Sequence, residues 1–346
     1  MPSLFDPFIL KGLQVKNRIM MSPMCQYSVW AKDGAPNEWH YVHYISRAVG
    51  GVGLVMMEMT DVVPDGRITV YDLGLWDDAQ IPAFRRIIDQ VHSYGAKVGI
   101  QLAHAGRKAE SPELRPEAPS AIPFSEKYRV PHALTVEEIH RLVEAFGAAA
   151  RRAIAAGVDT IELHGAHGYL IHQFMSPLSN QRSDQYAEPT RFGVEVIEAV
   201  KAVMPGDMPL IMRLSATEYT ERGYQFDQLL EMARVYRDHG VDMFDISSGG
   251  NAPVPIHDFP GYHLPYAAAV KERLGVPVIG VGRLEAYELA ASAVERGEVD
   301  IVALARGLLR DPYWANSAAL ALNGRVQVPR EYYRAFPQWF TAGDDR

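Results

Sequence analysis

Two histidines and a tyrosine lie close together in the segment IELHGAHGYLIHQF, residues 161–174. His164 and His167 are three residues apart just after an apolar run, and Tyr169 follows two residues later. Two neutral imidazoles that donate hydrogen bonds to one oxygen would polarise a carbonyl group, and a nearby phenol could supply a proton. The histidines could instead ligate the metal of a hydrolase, although the sequence has no H-x-H or H-E-x-x-H motif. A structural role for the pair also stays open.

The composition disfavours several classes of protein. The chain has 346 residues, of which 48% are hydrophobic, and a formal net charge of −8. It has neither the basic patch of a nucleic-acid-binding protein nor an apolar run of the roughly 18 residues that a membrane helix needs, so neither partner is expected. The start, MPSLFDPFILKG, lacks the basic and apolar regions of a signal peptide. A single cysteine, Cys25, excludes an internal disulfide. These features favour a cytoplasmic protein.

Eight short apolar runs recur along the chain and predict eight strands that are buried on both faces. Helical patterns lie between them, and the longest opens with a capping box of Thr135 and Glu138 and ends at Gly157. Eight strand–helix units predict an α/β fold, a single-domain (β/α)8 TIM barrel over residues 1–346. The predicted strands are 17–22, 51–58, 96–102, 158–164, 208–214, 241–247, 276–282 and 299–305, and the clearest helical patterns are 81–95, 135–157, 226–240 and 287–297.

Three segments lie outside the strand–helix repeat. The Pro-rich stretch 105–134 follows the third strand, and irregular loops of this length often cover an active site. We expect residues 1–16 to close the bottom of the barrel. We expect residues 325–346 to form a C-terminal tail.

Polar, cationic and small residues follow the predicted strands, at the end of the barrel where such folds carry their chemistry. Gly280 and Gly282 let backbone N–H groups approach an anion, and Arg306 adds positive charge, so the sequence predicts a ligand with a phosphate. The alternative is a tight turn at Gly282 and a local ion pair of Arg306. A phosphate-binding aldolase or isomerase would need a Schiff-base lysine, and Lys108 is the only lysine at these strand ends. The other residues there are Ser22, Pro23, Met24, Cys25, Thr60, Gln101, His104, Arg107, Arg213, Ser247, Ser248 and Arg283.

These motifs resemble those of the Old Yellow Enzyme family of flavin-dependent ene reductases, and within it the bacterial, cysteine-containing "thermophilic-like" class. The resemblance spans nearly the whole chain and is most specific for SPMCQY together with HGAHGYL. The matching segments are NRIMMSPMCQYS, WHYVHY, GLVMMEMTDVVPDGRIT, IQLAHAGRKA, IELHGAHGYLIHQFMSPLSNQRSD and GVDMFDISSGG.

The resemblance implies a non-covalent FMN at the top of the barrel. The Cys25 thiol would lie near the N5/O4 edge of the flavin and tune its redox potential rather than attack. Gln101 would hydrogen-bond the pyrimidine ring, and Arg213 would lie by N1, where reduced flavin becomes anionic. The other implied flavin-binding residues are Ser22, Pro23, Met24 and Thr60, with Gly282, Arg283 (through its backbone N–H) and Arg306 at the phosphate.

The resemblance also implies the reaction, a ping-pong cycle that reduces the C=C bond of an activated alkene. NAD(P)H, expected to be NADPH, gives hydride to the flavin and leaves; the alkene then binds with its carbonyl or nitro oxygen on His164 and His167. Hydride passes from flavin N5 to the β-carbon, and Tyr169 or water protonates the α-carbon. Tyr27 and Lys108 are the further expected substrate contacts. A flavin-binding protein without catalytic activity stays open as an alternative.

The C-terminal segment REYYRAF resembles the tail of that class, in which an arginine reaches the site of a neighbouring subunit. Arg334 matches this position, which implies a homodimer or homotetramer; the alternative is an exposed tail arginine. The chain departs from the family pattern in SDQYAEPTRF, which is shorter, and in Arg283, where an apolar residue is expected. It also continues with PQWFTAGDDR, whose Trp339 or Phe340 could reshape the neighbour's pocket.

Overall fold

The structure is a computed structural model that describes residues 1–336 and Trp339. Eight parallel strands form a sheet in which the first strand pairs with both the second and the eighth, so the sheet closes into a barrel. A ninth, two-residue strand, Leu73–Gly74, pairs with the end of the second strand. The predicted (β/α)8 TIM barrel is confirmed. In chain order the barrel strands are β1 (Ile19–Met21), β2 (Leu54–Asp61), β3 (Lys97–Ala103), β4 (Thr160–Gly165), β5 (Leu210–Ser215), β6 (Met243–Ser247), β7 (Val278–Gly280) and β8 (Ile301–Leu304).

Helices follow the strands and return the chain to the end of the barrel where the next strand begins. The longest, α3, has the predicted ends: Thr135 Oγ accepts the N–H of Glu138, Glu138 Oε2 accepts the N–H of Thr135, and Gly157 caps the helix in the left-handed conformation at φ 103°. The helices are α1 (Glu38–Val49), α2 (Ile81–Ser93), α3 (Val136–Ala156), α4 (Leu170–Met175), α5 (Arg191–Lys201), α6 (Phe226–Asp238), α7 (Leu264–Leu274), α8 (Tyr287–Glu295), α9 (Arg306–Arg310) and α10 (Trp314–Ala321).

An N-terminal hairpin packs against the lower interior of the barrel. Its strands, Phe8–Leu10 and Leu13–Val15, are antiparallel. Phe8, Leu13 and Val15 share one buried apolar cluster with side chains of β1, β2, β5, β6, β7 and β8. These contacts support the proposal that residues 1–16 close this end of the barrel. The barrel members of the cluster are Met20, Leu54, Met56, Ile211, Met243, Ile279, Ile301 and Ala303.

The long stretch after β3 is partly ordered and is tied to the top of the barrel. It contains a 3-10 turn at Gly106–Lys108 and a short parallel pair of strands, Glu117–Ala118 and His132–Ala133. His104 Nε2 lies 3.5 Å from Glu117 Oε2. The Arg107 guanidinium donates to the backbone oxygen of Asn251, beyond β6, at 2.7 Å. The covering loop is therefore attached at two places.

The C-terminal segment lies against the bottom of the same barrel. A 3-10 helix spans Arg330–Ala335, and Trp339 stacks on Phe336 with 4.5 Å between the ring centroids. Residues 337, 338 and 340–346 of the predicted tail, including Phe340, lie outside the described residues. Within the described part of the chain, no helix has the length and apolar character needed to cross a membrane.

Candidate active site

The structure brings the two histidines and the tyrosine of the central motif together at the C-terminal end of β4. The His164 ring centroid lies 5.1 Å from that of His167 and 4.8 Å from that of Tyr169. The turn between them is left-handed, with φ 58° at His167 and 74° at Gly168. His167 Nε2 lies 2.7 Å from Ser247 Oγ, at the end of β6. The turn therefore places both imidazoles side by side at the C-terminal end of the barrel strands.

Both imidazoles are neutral. Burial lowers the pKa of His164 and of His167 well below its usual value, and the positive charge of Arg213 lowers each further. A neutral imidazole has one N–H donor. Among the described residues His164 Nδ1 has no hydrogen-bond partner, although it is buried. A buried orphan nitrogen at a strand end is the atom that a ligand oxygen would meet.

Tyr169 keeps its phenolic proton. Its pKa is raised well above the usual value, first by burial and then by electrostatic interaction with the acidic groups of Cys25, Tyr27 and Asp72. Lys108 Nζ lies 5.0 Å from the centre of the Tyr169 ring. A neutral phenol beside two neutral imidazoles can donate a proton or a hydrogen bond, but it does not act as a base at neutral pH.

Lys108 holds the histidine turn through the backbone. Its ammonium group donates to the backbone oxygens of His167 at 3.0 Å and of Gly250 at 3.2 Å. Burial, and then the charge of neighbouring Arg107, lower the pKa of Lys108 to about 8. The structure thus places this predicted substrate-binding residue at the site, with its visible contacts made to the loops that carry the site.

The segment after β1 reaches the same place. Cys25 and Tyr169 pack against one small apolar cluster at the ends of β2 and β3. Burial raises the pKa of the Cys25 thiol well above its usual value, and Glu58 and Asp72 raise it further, so the group is an uncharged thiol. Tyr27 is 42% exposed and adopts φ 51°. An uncharged thiol agrees with a tuning role rather than nucleophilic attack.

Polar side chains of the barrel interior lie beneath this group. Gln101 Nε2 donates to Glu162 Oε1 at 2.6 Å, and Arg213 Nε lies 3.2 Å from Asp245 Oδ2. Ser22 is fully buried, and within the described chain its hydroxyl has no partner. Three further predicted flavin contacts lie in the same region: Thr60 is buried and donates to the Glu58 backbone oxygen at 2.9 Å, while Pro23 and Met24 are partly exposed.

A cavity of about 160 Å³ extends from the polar interior to the predicted phosphate site. Arg213, Gly282 and Arg306 all line it. Gly282 has φ 117°, and a Cβ there would lie 2.9 Å from His263 Nδ1, so both the backbone conformation and the space favour glycine at this position. The cavity is also lined by Ser247, Tyr262, His263, Val281, Arg283, Leu284, Glu285, Ala303, Leu304 and Ala305.

The two arginines at this cavity share an acidic partner that the sequence did not predict. Asp258, in the loop between β6 and α7, lies 2.9 Å from Arg306 and 3.4 Å from Arg283. Arg283 adopts φ 53°. The local ion pair considered for Arg306 is therefore present, at the mouth of a cavity rather than on a closed surface.

The predicted residue Arg334 does not lie with the others. It is exposed, and neighbouring Arg330, Glu331 and Tyr333 line a surface cavity together with Ser93 and Tyr94, which precede β3 at the bottom of the barrel. This is the end of the barrel opposite the histidines.

Several buried ionisable residues were not predicted as part of the site. Glu162 and Asp245 lie within apolar strand runs, two residues before His164 and Ser247, so strand alternation could have placed them on the same face. Glu218 lies in the loop after β5 and His172 lies in α4. No local sequence pattern predicts that these two residues are in contact.

Comparison with known proteins identifies the relatives of this barrel. Residues 3–324 match the profile of the NADH:flavin oxidoreductase / NADH oxidase family. The chain belongs to that family. The predicted resemblance to the Old Yellow Enzyme family is confirmed, and the protein is an FMN-dependent oxidoreductase.

Individual relatives match over almost their whole length. An NADPH dehydrogenase of Bacillus licheniformis is 47% identical over 96% of this chain and 98% of its own, and one of Listeria innocua is 46% identical over 97% and 100%. Morphinone reductase in complex with tetrahydroNAD is similar in structure, with a TM-score of 0.78 and 26% identity over 95% of this chain and 93% of its own.

The residues of the site fit FMN, the cofactor of the family. Ser22 Oγ and His164 Nδ1 are buried, have no hydrogen-bond partner among the described residues, and lie at the C-terminal ends of β1 and β4, where a polar heterocycle would satisfy them. The cavity is lined by Gly282, whose backbone carries no side chain, and by the cationic side chain of Arg306, and both features favour phosphate binding. A metal site fits less well, since the described residues contain no group of three or more His, Cys, Asp or Glu that could hold a metal ion.

Proposed function

We propose that this protein uses NADPH to reduce the C=C bond of activated alkenes, such as α,β-unsaturated carbonyl and nitro compounds, in two separate half-reactions. The observation that carries the proposal is the pair of neutral imidazoles, buried His164 and partly buried His167, with the protonated phenol of Tyr169 beside them. When bound, FMN would accept hydride from NADPH and return it to the alkene. The relatives named NADPH dehydrogenase support NADPH as the reductant.

The imidazoles bind and polarise the alkene. His164 Nδ1 is buried without a partner among the described residues, and His167 is fixed by its contact with Ser247. Two N–H donors on one carbonyl or nitro oxygen withdraw electrons from the conjugated C=C bond and make its β-carbon a hydride acceptor. Because both groups are neutral, they stabilise developing negative charge without giving up a proton.

Tyr169 completes the reaction at the α-carbon. Its raised pKa keeps the phenol protonated at neutral pH, so a proton is available for the α-carbon. The covering loop beyond β3, attached through Arg107 to Asn251, would limit the access of bulk water to the phenol.

We propose that residues from the barrel strands and from the loops after them hold the flavin. Cys25 and Thr60 would line one edge of the flavin, Gln101 would meet its pyrimidine ring, and Arg213 would lie by N1. The phosphate would take the cavity at Gly282, where the backbone N–H of Arg283 and the side chain of Arg306 converge. Ser22, Pro23 and Met24 would complete the lining. The shared cavity that joins Arg213 to Arg306 supports this path.

We also propose an oligomer in which Arg334 contributes to the site of a neighbouring subunit, through Tyr27 and the exposed side of the substrate pocket. The support is that Arg334 lies at the bottom of its own barrel, away from its own histidines, on a segment held by the apolar contacts of Phe336. A cytoplasmic location fits the single free cysteine.

An anaerobic absorbance experiment on the purified protein tests the proposed function. The flavin band should bleach on addition of NADPH and return on addition of cyclohexenone. A band that bleaches but is not restored by any enone or nitroalkene would contradict the alkene as oxidant. A colourless protein that does not take up FMN would contradict the whole proposal.

A further inference from the structure

The interior of the barrel contains a polar layer between its apolar floor and the histidines. Ile211 and Met243 belong to the apolar floor, and two residues further along the same strands come Arg213 and Asp245, which therefore face the same way. Glu162 likewise precedes His164 by two residues on β4. The layer consists of Gln101, Glu162, Arg213 and Asp245, from the consecutive strands β3 to β6.

This layer has more acidic than basic groups. Glu162 and Asp245 are buried at 1% exposure or less, and within the described part of the chain Arg213 is the one cation that acts on both. Two carboxylates facing a single guanidinium would leave a net negative charge in a water-excluded interior, which is strongly unfavourable. One carboxyl group must therefore carry a proton.

The contacts identify the protonated group as Glu162. Arg213 Nε lies 3.2 Å from Asp245 Oδ2 and stabilises a charge on that residue. Glu162 instead receives the neutral amide of Gln101 at 2.6 Å on Oε1. Its Oε2, like both carboxyl oxygens of Asp245, has no hydrogen-bond partner among the described residues, so the difference between the two groups is that Asp245 is the one ion-paired with Arg213. A protonated Glu162 accepts from Gln101 through its carbonyl oxygen and needs no counter-charge.

The direction of the pKa values agrees with this assignment. The pKa of Glu162 is raised to about 8, first by burial and then by the charge of Asp245, while the charge of Arg213 opposes the rise. Burial also raises the pKa of Asp245, and Arg213 opposes that rise. His164, two residues along β4 from Glu162, is neutral. Gln101 does not titrate, and the charged groups that shift the pKa of Glu162 are Asp245 and Arg213.

We propose that Glu162 and Asp245 are positioning residues of the flavin site, in which protonated Glu162 holds Gln101 and ionised Asp245 holds Arg213. The inference rests on the proposed function, since it is there that Gln101 and Arg213 meet the flavin. The layer beneath the cofactor is then electrically neutral. It does not oppose the negative charge that the cofactor gains on reduction.

The protonation state of Glu162 affects the reduction potential of bound FMN. Where Glu162 is ionised, its charge opposes reduction, and reduction is then accompanied by uptake of one proton from solvent at Glu162. The midpoint potential of bound FMN therefore falls more steeply with pH above the pKa of Glu162 than below it. The plot of potential against pH should bend near pH 8.

The experiment measures the midpoint potential of the holoenzyme by equilibration with redox dyes from about pH 6 to about pH 9.5. The variant is Glu162→Gln, which mimics the protonated group. The matched control is Glu58→Gln, because burial also raises the pKa of Glu58 to about 8, but Glu58 is bonded to Tyr44 and to the Gln26 N–H instead. Wild type and Glu58→Gln should show the bend, and Glu162→Gln should lose it while keeping the wild-type potential at low pH.

A second variant keeps the test decisive if Glu162→Gln fails to retain FMN. Asp245→Asn leaves Glu162 as the only carboxyl beside Arg213, so the bend should move down by about one pH unit or more. A straight wild-type profile, a bend that persists in Glu162→Gln, or one lost in Glu58→Gln would overturn the inference. A wild type that NADPH does not bleach would instead contradict the proposed function, since the cycle is measured on the same sample.

Discussion

Tyr169 is the residue with the most direct chemical task, and its effect can be isolated. Replacing it with Phe removes the acid but leaves the ring against His164. We expect reoxidation of reduced protein by an enone to slow roughly a hundredfold, since positioned proton transfer contributes about 10²–10⁴-fold. Reduction by NADPH should be unchanged, as stopped-flow absorbance at the flavin band would report. Equal slowing of both half-reactions would contradict the role, and Tyr41→Phe on α1 is the control.

The state of Cys25 gives a second prediction for a single residue. Burial raises its pKa, with Glu58 and Asp72 adding to the effect, and only the thiolate reacts with alkylating reagents. Iodoacetamide should therefore label the folded protein at pH 7.5 roughly tenfold or more slowly than the urea-unfolded protein. The rate should keep rising with pH without a plateau near neutrality. Mass spectrometry reports one site, because Cys25 is the only cysteine; rapid labelling at pH 7 would show a thiolate.

Local sequence predicted the residues whose neighbours are local. His164, His167 and Tyr169 lie within six residues of one another, so a strand end followed by a turn was enough to group them. The contacts of Glu162 with Gln101 and of Arg213 with Asp245 depend on which strands are adjacent and in what register. No local pattern contains that information, which is why the acidic half of the polar layer was missed.

Among the elements, the turn that carries His167 depends on a buried ionic network. Glu218 accepts hydrogen bonds from His172, Asn251, Ser176 and the Tyr224 N–H. His172 Nδ1 in turn accepts the N–H of Gly168, next to His167. Burial alone would raise the pKa of Glu218, but the hydrogen bonds led by that of His172 outweigh it and hold the pKa below its usual value.

Glu218→Gln should therefore destabilise the protein and loosen the histidine turn. The loss should be about 2–3 kcal/mol at pH 7, since hydrogen bonds to a buried charge are broken. Because the pKa of Glu218 is lower when folded, its stabilisation is present above the unfolded value of about 4.5 and disappears as pH falls through the folded value. Urea unfolding at several pH values should show the difference from wild type shrinking below that range. Glu231→Gln, exposed on α6, should change stability by less than about 0.5 kcal/mol.

The loop between β6 and α7 gives a prediction about cofactor affinity. Asp258 pairs with Arg306 and Arg283, and the Arg306 guanidinium holds the pKa of Asp258 below its usual value, so the carboxylate is charged at neutral pH. That charge competes with a phosphate for the same arginines. Asp258→Asn should tighten binding of FMN about two- to fivefold, the range expected for an exposed ion pair. Fluorescence titration with riboflavin, which lacks the phosphate, should show no change; an equal gain for both flavins would rule out this competition.

The elements were more predictable than their contacts. Each of the eight predicted strands corresponds to a barrel strand, because buried parallel strands have continuous apolar sequences. The capping box at Thr135 and the glycine at the end of α3 fixed that helix to within a residue. The stretch 105–134 was expected to be irregular, yet it contains the short pair Glu117–Ala118 and His132–Ala133. Two-residue strands are too short to leave a pattern, so only tertiary contacts define them.

At the scale of the whole molecule, the question is whether one subunit completes the site of another. Arg334 lies at the bottom of its own barrel and is exposed, so it can act only at a site other than its own. Arg334→Ala and His164→Ala should each lower alkene turnover, by about tenfold for the loss of one hydrogen-bonded charge or donor. Their single effects do not distinguish a contribution across subunits from one within a subunit.

Mixing the two variants makes that distinction. If subunits exchange at random, half of all dimers pair one variant with the other, and each such dimer has one site with both His164 and the partner's arginine. Roughly a quarter of the wild-type sites should then be restored, which a steady-state assay with cyclohexenone would detect. The control mixes His164→Ala with the double variant His164→Ala/Arg334→Ala, in which no pairing yields a complete site. If activity in the first mixture equals the mean of its components, Arg334 does not act across subunits; if it rises, the closed barrel of one chain is not by itself the complete enzyme.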